Sequence, residues 1–135
     1  MVVCRKNSYV NVGNGTHIHG DFWGKTSIHS KSGCKVVIGT NCLLSGNIVI
    51  RNNDGHNIVY NGVIQNKAED IEIGSHVWIC EGVHILKGCE IGANTVIGCA
   101  SVVTKGSIIK EGNMVLAGNP AKCIRKFGDG ETWER

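Results

Sequence analysis

The chain has 135 residues and a formal net charge of +3, which allow one domain with a core but not two ordinary domains. Nineteen glycines, a single proline and an aromatic content of 5% favour many tight turns around an aliphatic core. The charge is mild and no basic run is long enough to follow a phosphate backbone, so no nucleic-acid partner is expected.

The cysteines and the apolar runs indicate the compartment. The seven cysteines are odd in number and no two form a CxxC pair, so neither a disulfide framework nor a zinc ribbon is expected. The opening MVVCRKNSYV lacks an apolar core of signal-peptide length, and no run approaches a membrane span. We therefore predict a cytoplasmic protein without a membrane span.

The first third of the chain carries a six-residue repeat that begins weakly. Val12 and Ile18 are in step, and Ile38, Leu44 and Ile50 follow at regular intervals of six. The interval from Ile18 to Ile38 is two residues longer than three hexapeptides, so we expect one irregular turn between them.

The repeat stops in the stretch IRNNDGHNIVYNGVIQNKAEDIEIG, residues 50 to 74. We interpret the interval from Ile50 to Ile73 as one coil of eighteen plus five. The sequence thus predicts a loop extruded near residues 52–70, with Asp54 and His56 at its start. The run Asn-Asn-Asp-Gly is also strong turn chemistry, which would leave only a solvated histidine beside a turn.

From Ile73 onwards an aliphatic residue recurs at every sixth position. Residues two apart share one face of a strand, so each hexapeptide directs a large and a small side chain inwards. Cys89, like Cys42 upstream, falls at a small inward position, where a thiol is a compact apolar filler. The aliphatic positions are Ile73, Ile79, Ile85, Ile91, Ile97, Val103, Ile109 and Val115.

A period of six excludes a helix, which needs a period near 3.6. Short strands separated by turns, each stacked on a strand eighteen residues away, are typical of a parallel β-helix with three flat faces. We predict an all-β triangular prism that forms one domain over residues 1–135, with a short C-terminal tail from about residue 118 to residue 135.

The residues just before the inward aliphatic ones point outwards. Trp78, Val96 and Met114 are eighteen residues apart, so they should form an apolar stack on one face. Such a stack favours a surface that a second copy covers, although single exposed apolar residues are also common.

The run from IEIGSHVWICEGVHILKGCEIG to NPAKCIRK resembles the hexapeptide-repeat acyltransferases, which fold as left-handed parallel β-helices. The segment DGHNI, followed some twenty residues later by IGSHVWI, is similar to the branch that O-acetylates sugars and polysaccharides. The resemblance covers about residues 36–126 well, and it alone implies the left hand of the coil. It further implies acetyl-CoA as donor, a carbohydrate acceptor, no metal, and a homotrimer with active sites between subunits.

The resemblance implies a histidine base, which would be His56. Imidazole titrates near neutral pH and suits the removal of a proton from a sugar hydroxyl. Asp54 would orient the ring. Trp78 would lie by the thioester or the acceptor, where it can stack on a sugar or donate its indole N–H to an oxyanion. Packing at an interface is the alternative role for Trp78.

The resemblance also implies the residues that contact acetyl-CoA. Cys99 and Ala100 replace the usual small pair at a corner near the cofactor, and Thr104 and Lys105 match positions where pantetheine and phosphates pass. A basic end suits the ribose 3′-phosphate, and its residues are Arg125, Lys126 and, more weakly, Lys122.

Three alternatives remain open at this point. An amine acceptor, in an amino sugar or an antibiotic, would use the same base and cofactor. A zinc protein similar to γ-class carbonic anhydrases would draw on the histidines, of which His84 is outward, but zinc needs three convergent ligands. A non-catalytic β-helix used for assembly would be favoured by a His56 that faces solvent.

Overall fold

The computed structural model describes residues 1–19, 24–31, 33–107 and 110–135. The strands of this part, in chain order, are β1 (Val2–Cys4), β2 (Tyr9–Val12), β3 (His17–Ile18), β4 (Ser27–Ser30), β5 (Lys35–Ile38), β6 (Leu43–Leu44), β7 (Val49–Arg51), β8 (Val59–Tyr60), β9 (Val63–Ile64), β10 (Ile71–Ile73), β11 (Val77–Ile79), β12 (His84–Leu86), β13 (Glu90–Ile91), β14 (Thr95–Ile97), β15 (Val102–Val103), β16 (Met114–Gly118) and β17 (Ala121–Lys126). A 3-10 helix occupies Lys105–Ser107. No helix among these residues has the length and apolar character that crossing a bilayer requires.

Three parallel sheets form the faces of the prism. Sheet A contains β1, β4, β7, β12 and β15 in order of pairing, and sheet B contains β2, β5, β10 and β13. Sheet C contains β3, β6, β11, β14 and β16, with β17 added in antiparallel orientation. Successive strands fall on faces A, B and C in turn, and we name the edges AB, BC and CA after the faces they join. The predicted parallel β-helix is confirmed.

The interruption of the repeat is a loop, but its length differs from the expectation. Glu90 pairs with Glu72 at the regular interval of three hexapeptides, whereas Ile71 pairs with Val36, nearly twice as far back along the chain. The additional residues lie between β7 and β10 and contain the hairpin β8–β9. The loop near residues 52–70 is confirmed. The interpretation as one coil plus five is wrong, because Ile50 on sheet A and Ile73 on sheet B belong to adjacent faces of one coil.

Buried aliphatic side chains fill the prism. In β10, Ile71 and Ile73 are 0% and 2% exposed while Glu72 between them is exposed, as the two-residue alternation predicts. Cys42 and Cys89 are buried in the same core, which confirms them as fillers. Each fully buried aliphatic side chain contributes roughly 1.5–3 kcal/mol to folding. Ile109 lies outside the described residues.

The last coil is shifted by one residue. Thr95 pairs with Met114, one position beyond the regular interval of three hexapeptides. Met114 is therefore 1% exposed in the core, and Val115 lies half-buried on the outer face. The predictions of an outward Met114 and an inward Val115 are both wrong. The outward apolar stack on sheet C consists of Leu43, Trp78, Val96 and Val115.

The C-terminal segment folds back onto the prism along edge BC. Trp133 is only 7% exposed and stacks on His76 with 4.2 Å between ring centroids. Its Nε1–H donates to the carbonyl oxygen of His76 at 2.9 Å. Further along, Arg135 donates from its guanidinium to the carbonyl oxygen of Gly15 at 2.9 Å. Because Gly15 precedes β3, the segment ties the last coil to the first.

Glycines line edge BC because the coils approach closely there. A Cβ on Gly39 would lie 2.5 Å from the backbone nitrogen of Ser75, and one on Gly74 would lie 2.7 Å from that of Ala93. Gly13 stands in the same relation to Gly39, with its Cβ position 2.6 Å from backbone atoms. These glycines are therefore required by contact between coils.

We predict that Gly39→Ala destabilises the protein by about 1–3 kcal/mol, because the backbone of the next coil must move to admit the methyl group. Denaturant unfolding followed by circular dichroism measures the change. Gly128→Ala is the matched control, because its added Cβ would meet its nearest neighbour at 3.8 Å. Equal stability of the two variants would contradict the close approach at edge BC.

Candidate active site

A buried asparagine, Asn52, holds the stem of the loop. Its Nδ2 donates to Ser30 Oγ at 2.9 Å, and its Oδ1 accepts from the backbone N–H of Lys31 at 3.0 Å. The Asn52 carbonyl oxygen accepts from the backbone N–H of Glu69 at 3.1 Å, which closes the loop. A buried site with one donor and one acceptor to satisfy suits an amide side chain. The loop therefore leaves edge AB from a fixed base.

A second asparagine, Asn66, organises the segment around His56. Its Nδ2 donates to Asp54 Oδ2 and to the His56 carbonyl oxygen, both at 2.9 Å. Lys87, which follows β12, forms an ion pair with Asp54. The hydrogen bond from this ammonium is the largest cause that lowers the pKa of Asp54. Asp54 is thus a charged anchor between the loop and the prism.

Sequence reasoning missed Asn66 and Lys87, because they lie far from Asp54 along the chain. The described side-chain contacts of Asp54 go to these two residues, and the His56 side chain is exposed in the single chain. Orientation of the imidazole by Asp54 therefore stays a prediction.

The far end of the loop is apolar and exposed. Hairpin β8–β9 and the residue before it present four large apolar side chains, each more than half exposed. They are Ile58, Val59, Tyr60 and Val63. A cluster of this kind on a projecting hairpin is typical of a surface that another protein chain covers.

Trp78 lies in a pocket of about 380 Å³ on the outer side of sheet C, near edge CA. Its neighbours there include Leu43, Cys80 and Cys99. Burial, followed by the nearby Cys99, raises the pKa of the Cys80 thiol to about 12, so this thiol stays protonated at neutral pH. The Trp78 pocket is lined by a large aromatic surface and the neutral thiol of Cys80, with Glu81 and His19 also in its lining, which suits an apolar chain or the face of a sugar ring.

The residues at the predicted corner lie at the rim of this pocket. Cys99 and Ala100 are exposed, and Ala100 has a left-handed backbone with φ of 56°. Thr104 and Lys105 lie elsewhere, after β15 at edge AB, where Lys105 forms an ion pair with Glu69 of the loop. The structure therefore separates the two pairs by the width of sheet A.

The basic end forms strand β17. Arg125 forms an ion pair with Glu131 and lies 5.6 Å from the centre of the Phe127 ring, and Lys126 pairs with Glu111. Both basic side chains are exposed on the last strand of sheet C. A phosphate bound here would replace these carboxylates as the partner of the cations.

His56 and Trp78 lie on opposite sides of the prism. The loop that carries His56 leaves edge AB, and Lys31 and Lys87 hold it there through contacts to Gly55 and Asp54. Trp78 belongs to face C, which is the face opposite edge AB. One chain alone therefore does not bring the two residues together.

Among the described residues, no group of three or more His, Cys, Asp or Glu side chains gathers in a way that would hold a metal ion. His84 is exposed on the outer face of sheet A, between Val49 and Val102.

Comparison with known proteins gives one family match, to the model described as "Bacterial transferase hexapeptide (six repeats)", over residues 70–105. A polysialic acid O-acetyltransferase of Escherichia coli O1:K1 / APEC is 36% identical over 89 residues. That match covers 64% of this chain but only 27% of the relative. The chain thus spans under a third of the length of the curated relatives it matches.

Solved structures match over nearly the whole chain. The polysialic acid O-acetyltransferase OatWY has a TM-score of 0.86 and 34% identity, over 99% of this chain and 61% of that one. A maltose O-acetyltransferase from Clostridium difficile 630 has a TM-score of 0.62 and 30% identity, over 93% of this chain and 69% of that one. A galactoside acetyltransferase in complex with coenzyme A is 26% identical, with a TM-score of 0.59 over 91% of this chain and 66% of that one. The coil is therefore a left-handed β-helix, as the resemblance implies.

We predict that Lys87→Met raises the pKa of Asp54 towards its ordinary value of 3.8, because the ammonium that favours the carboxylate is lost. Carbon NMR of the carboxyl group measures the titration. Since the pKa of Asp54 is lowered in the folded protein, the contact is fully present above pH 3.8 and is lost as the pH falls through the folded value. Amide exchange of the loop should follow that range.

Lys67→Met, in the same loop, is the matched control. It should leave the Asp54 titration unchanged. An Asp54 that titrates alike in Lys87→Met and in the unmodified protein would show that Lys87 does not hold the loop.

Proposed function

The chain belongs to the hexapeptide-repeat acyltransferase family, and on this premise we propose that it transfers an acetyl group from acetyl-CoA to a hydroxyl of a saccharide. The O-acetyltransferase names of the relatives and the coenzyme A complex of a structural neighbour support this activity. Polysialic acid, on which two of the relatives act, is a candidate acceptor. The protein would work in the cytoplasm, where acetyl-CoA is available.

The observation that carries the proposal is the placement of His56 and Trp78 on opposite sides of one prism. In a ring of three copies, edge AB of one copy meets face C of the next, so the loop of one subunit reaches the Trp78 pocket of its neighbour. The exposed apolar hairpin and the outward stack on sheet C would be covered by the same contact. We therefore propose a homotrimer with three shared sites.

In this site His56 acts as general base in a direct transfer. The imidazole accepts the proton of the acceptor hydroxyl while that oxygen forms a bond to the thioester carbonyl carbon. The bond from this carbon to sulfur then breaks, and the imidazolium returns its proton to the leaving thiolate of CoA. The Trp78 indole N–H, 3.5 Å from Ser45 Oγ in the single chain, is available to the carbonyl oxygen during attack.

The donor would extend from the Trp78 pocket towards the last coil. Cys99 and Ala100 at the rim suit the pantetheine arm, and Thr104 and Lys105 of the adjoining copy lie on the same edge as His56. Arg125 and Lys126 suit the 3′-phosphate. On binding, the phosphate would replace Glu131 and Glu111 as the ion-pair partners of these two side chains.

One observation favours a second candidate function. His56 is exposed to solvent in the single chain, as expected if the protein is a non-catalytic assembly protein. The same exposure is required of a residue that completes a site on a neighbouring copy. Activity of mixed trimers separates the two functions. N-acetylation of an amino sugar would use the same residues, and mass spectrometry of the product distinguishes it.

We predict that His56→Ala lowers kcat by two to four powers of ten, about the contribution of a positioned base. The trimer and the affinity for acetyl-CoA should persist, because the prism core contains no part of the loop. Turnover of an acetylated saccharide and light scattering measure both. His84→Ala, which removes another exposed imidazole on sheet A, is the control. If His56→Ala keeps most of its turnover, the base lies elsewhere.

We also predict complementation between two inactive variants. Trimers that mix His56→Ala and Trp78→Ala chains in equal amounts should regain activity, because about one site in four receives both unaltered residues from adjacent copies. If Trp78→Ala does not fold, Cys99→Trp fills the same pocket from its exposed rim. Mixed trimers without activity, formed from folded variants, would contradict the shared site.

A further inference from the structure

A second cavity, of about 200 Å³, lies on the outer side of sheet A beside the stem of the loop. Its lining contains two arginines, one lysine and one histidine, and no carboxylate. The lining residues are Val3, Arg5, His29, Ser30, Lys31, Arg51, Asn53 and Gly55. We call this cavity the basic pocket.

The cations of the basic pocket form no ion pairs within the described part of the chain, although the charge of Arg51 acts on the nearby Asp54. Among the described residues, six other basic side chains form ion pairs with carboxylates, whereas Arg5, Lys31 and Arg51 form none. Nε of Arg51 is buried and has no hydrogen-bond partner within that part of the chain. A buried guanidinium nitrogen without an acceptor is costly, and an anion in the pocket would offset part of this cost by accepting from the other N–H groups of the same guanidinium.

The charge of the pocket acts on its histidine. His29 lies beside Arg51 in the pairing of β4 with β7. Burial first, and then Arg51, the N-terminal amino group and Arg5, lower the pKa of His29. The local potential is therefore positive at the site itself, which is what the binding of an anion requires.

The pocket adjoins the proposed base and lies away from the proposed donor contacts. Gly55, which lines it, precedes His56, and Nη2 of Arg51 lies 3.8 Å from the place of a Cβ on Gly55. The pocket is built on β1, β4 and β7, whereas Thr104 and Lys105 follow β15 at the other end of sheet A. Two strand spacings, roughly 10 Å, separate β7 from β15. An anion here is thus on the acceptor side of His56.

We propose that the basic pocket binds a carboxylate of the acceptor, so that the substrate is an acidic saccharide. This inference rests on the proposed function and adds the group by which the acceptor is recognised. A guanidinium fork and an ammonium suit a planar carboxylate, and a cavity of this size admits that group with part of its sugar ring. Arg5, Lys31 and Arg51, the cations that line the cavity, together hold the carboxylate.

Direct binding tests the proposal without any transfer reaction. Isothermal titration calorimetry of the intact protein, without acetyl-CoA, uses a sialic acid tetramer and a galacturonic acid tetramer. Each is compared with its own neutral form, in which the carboxyl groups are reduced to alcohols. At least one acidic tetramer should bind ten times or more tighter than its reduced form.

Variants locate the binding. The double variant Arg5→Gln/Lys31→Gln should abolish the preference for the acidic form, because both side chains line the cavity and neither belongs to the buried core. Arg51→Lys keeps the positive charge but loses the two parallel N–H donors of the guanidinium. This variant should therefore lose part of the preference for the acidic form. Lys25→Gln, an exposed cation outside the pocket, should bind as the unaltered protein does.

Any of four outcomes would overturn the proposal. In one, neither acidic tetramer binds better than its reduced form. In another, the preference survives Arg5→Gln/Lys31→Gln. In the third, coenzyme A competes with the tetramer, and the affinity for coenzyme A falls in Arg5→Gln/Lys31→Gln. That result would make the pocket a site for the donor phosphates. If the protein acetylates a neutral saccharide but no acidic one, the proposed O-acetyltransferase function is supported and the acidic acceptor is contradicted.

Discussion

The stacking of coils through parallel backbone hydrogen bonds is the constraint on which the rest of this structure depends. Each inner strand pairs with a coil on either side, so an inserted residue has no place on a face and must leave at an edge. The loop near residues 52–70 meets this condition because Asn52 and Glu69 close its stem while β7 and β10 keep their partners. At edge BC the same spacing excludes even a Cβ, as at Gly39. The loop near residues 52–70 is therefore an interruption that the coil tolerates without changing its register.

The sequence predicts those parts of the fold that are local and periodic. Alternation over two residues and recurrence over six identify the inward side chains, so the prism and most of its core were predictable. Two features were not. One extra residue before β16 reverses the roles of Met114 and Val115, and no local signal marks it. The distance from Ile50 to Ile73 fits several numbers of coils, because both are inward residues and the repeat does not say on which face each one falls.

The site shows the same division between residue type and contact. His56 and Trp78 stand out by sequence, because a histidine in a polar loop and an outward tryptophan are unusual in a regular coil. Their surroundings depend on contacts between residues far apart along the chain. Lys87 forms an ion pair with Asp54, and Asn66 donates a hydrogen bond to the carbonyl oxygen of His56. After the chain has returned along edge BC, the ring centroid of Trp133 lies 5.9 Å from that of Trp78. Such contacts follow from the folded coil and carry no short-range pattern.

The three faces of the prism differ in chemistry, and that difference suggests a division of labour between them. Sheet B carries ion pairs between neighbouring coils, such as Lys35 with Glu72, and is satisfied within one chain. Sheet C presents an apolar stack that is half-exposed in one chain, and sheet A presents beside the loop cations without ion-pair partners among the described residues. A face whose charges are paired within the chain needs no partner. An apolar face favours contact with a second copy, and a cationic cavity favours the binding of an anion. Because edge AB lies between the satisfied face and the cationic one, a loop placed there would reach a neighbouring copy in the proposed trimer while its stem lies beside the basic pocket.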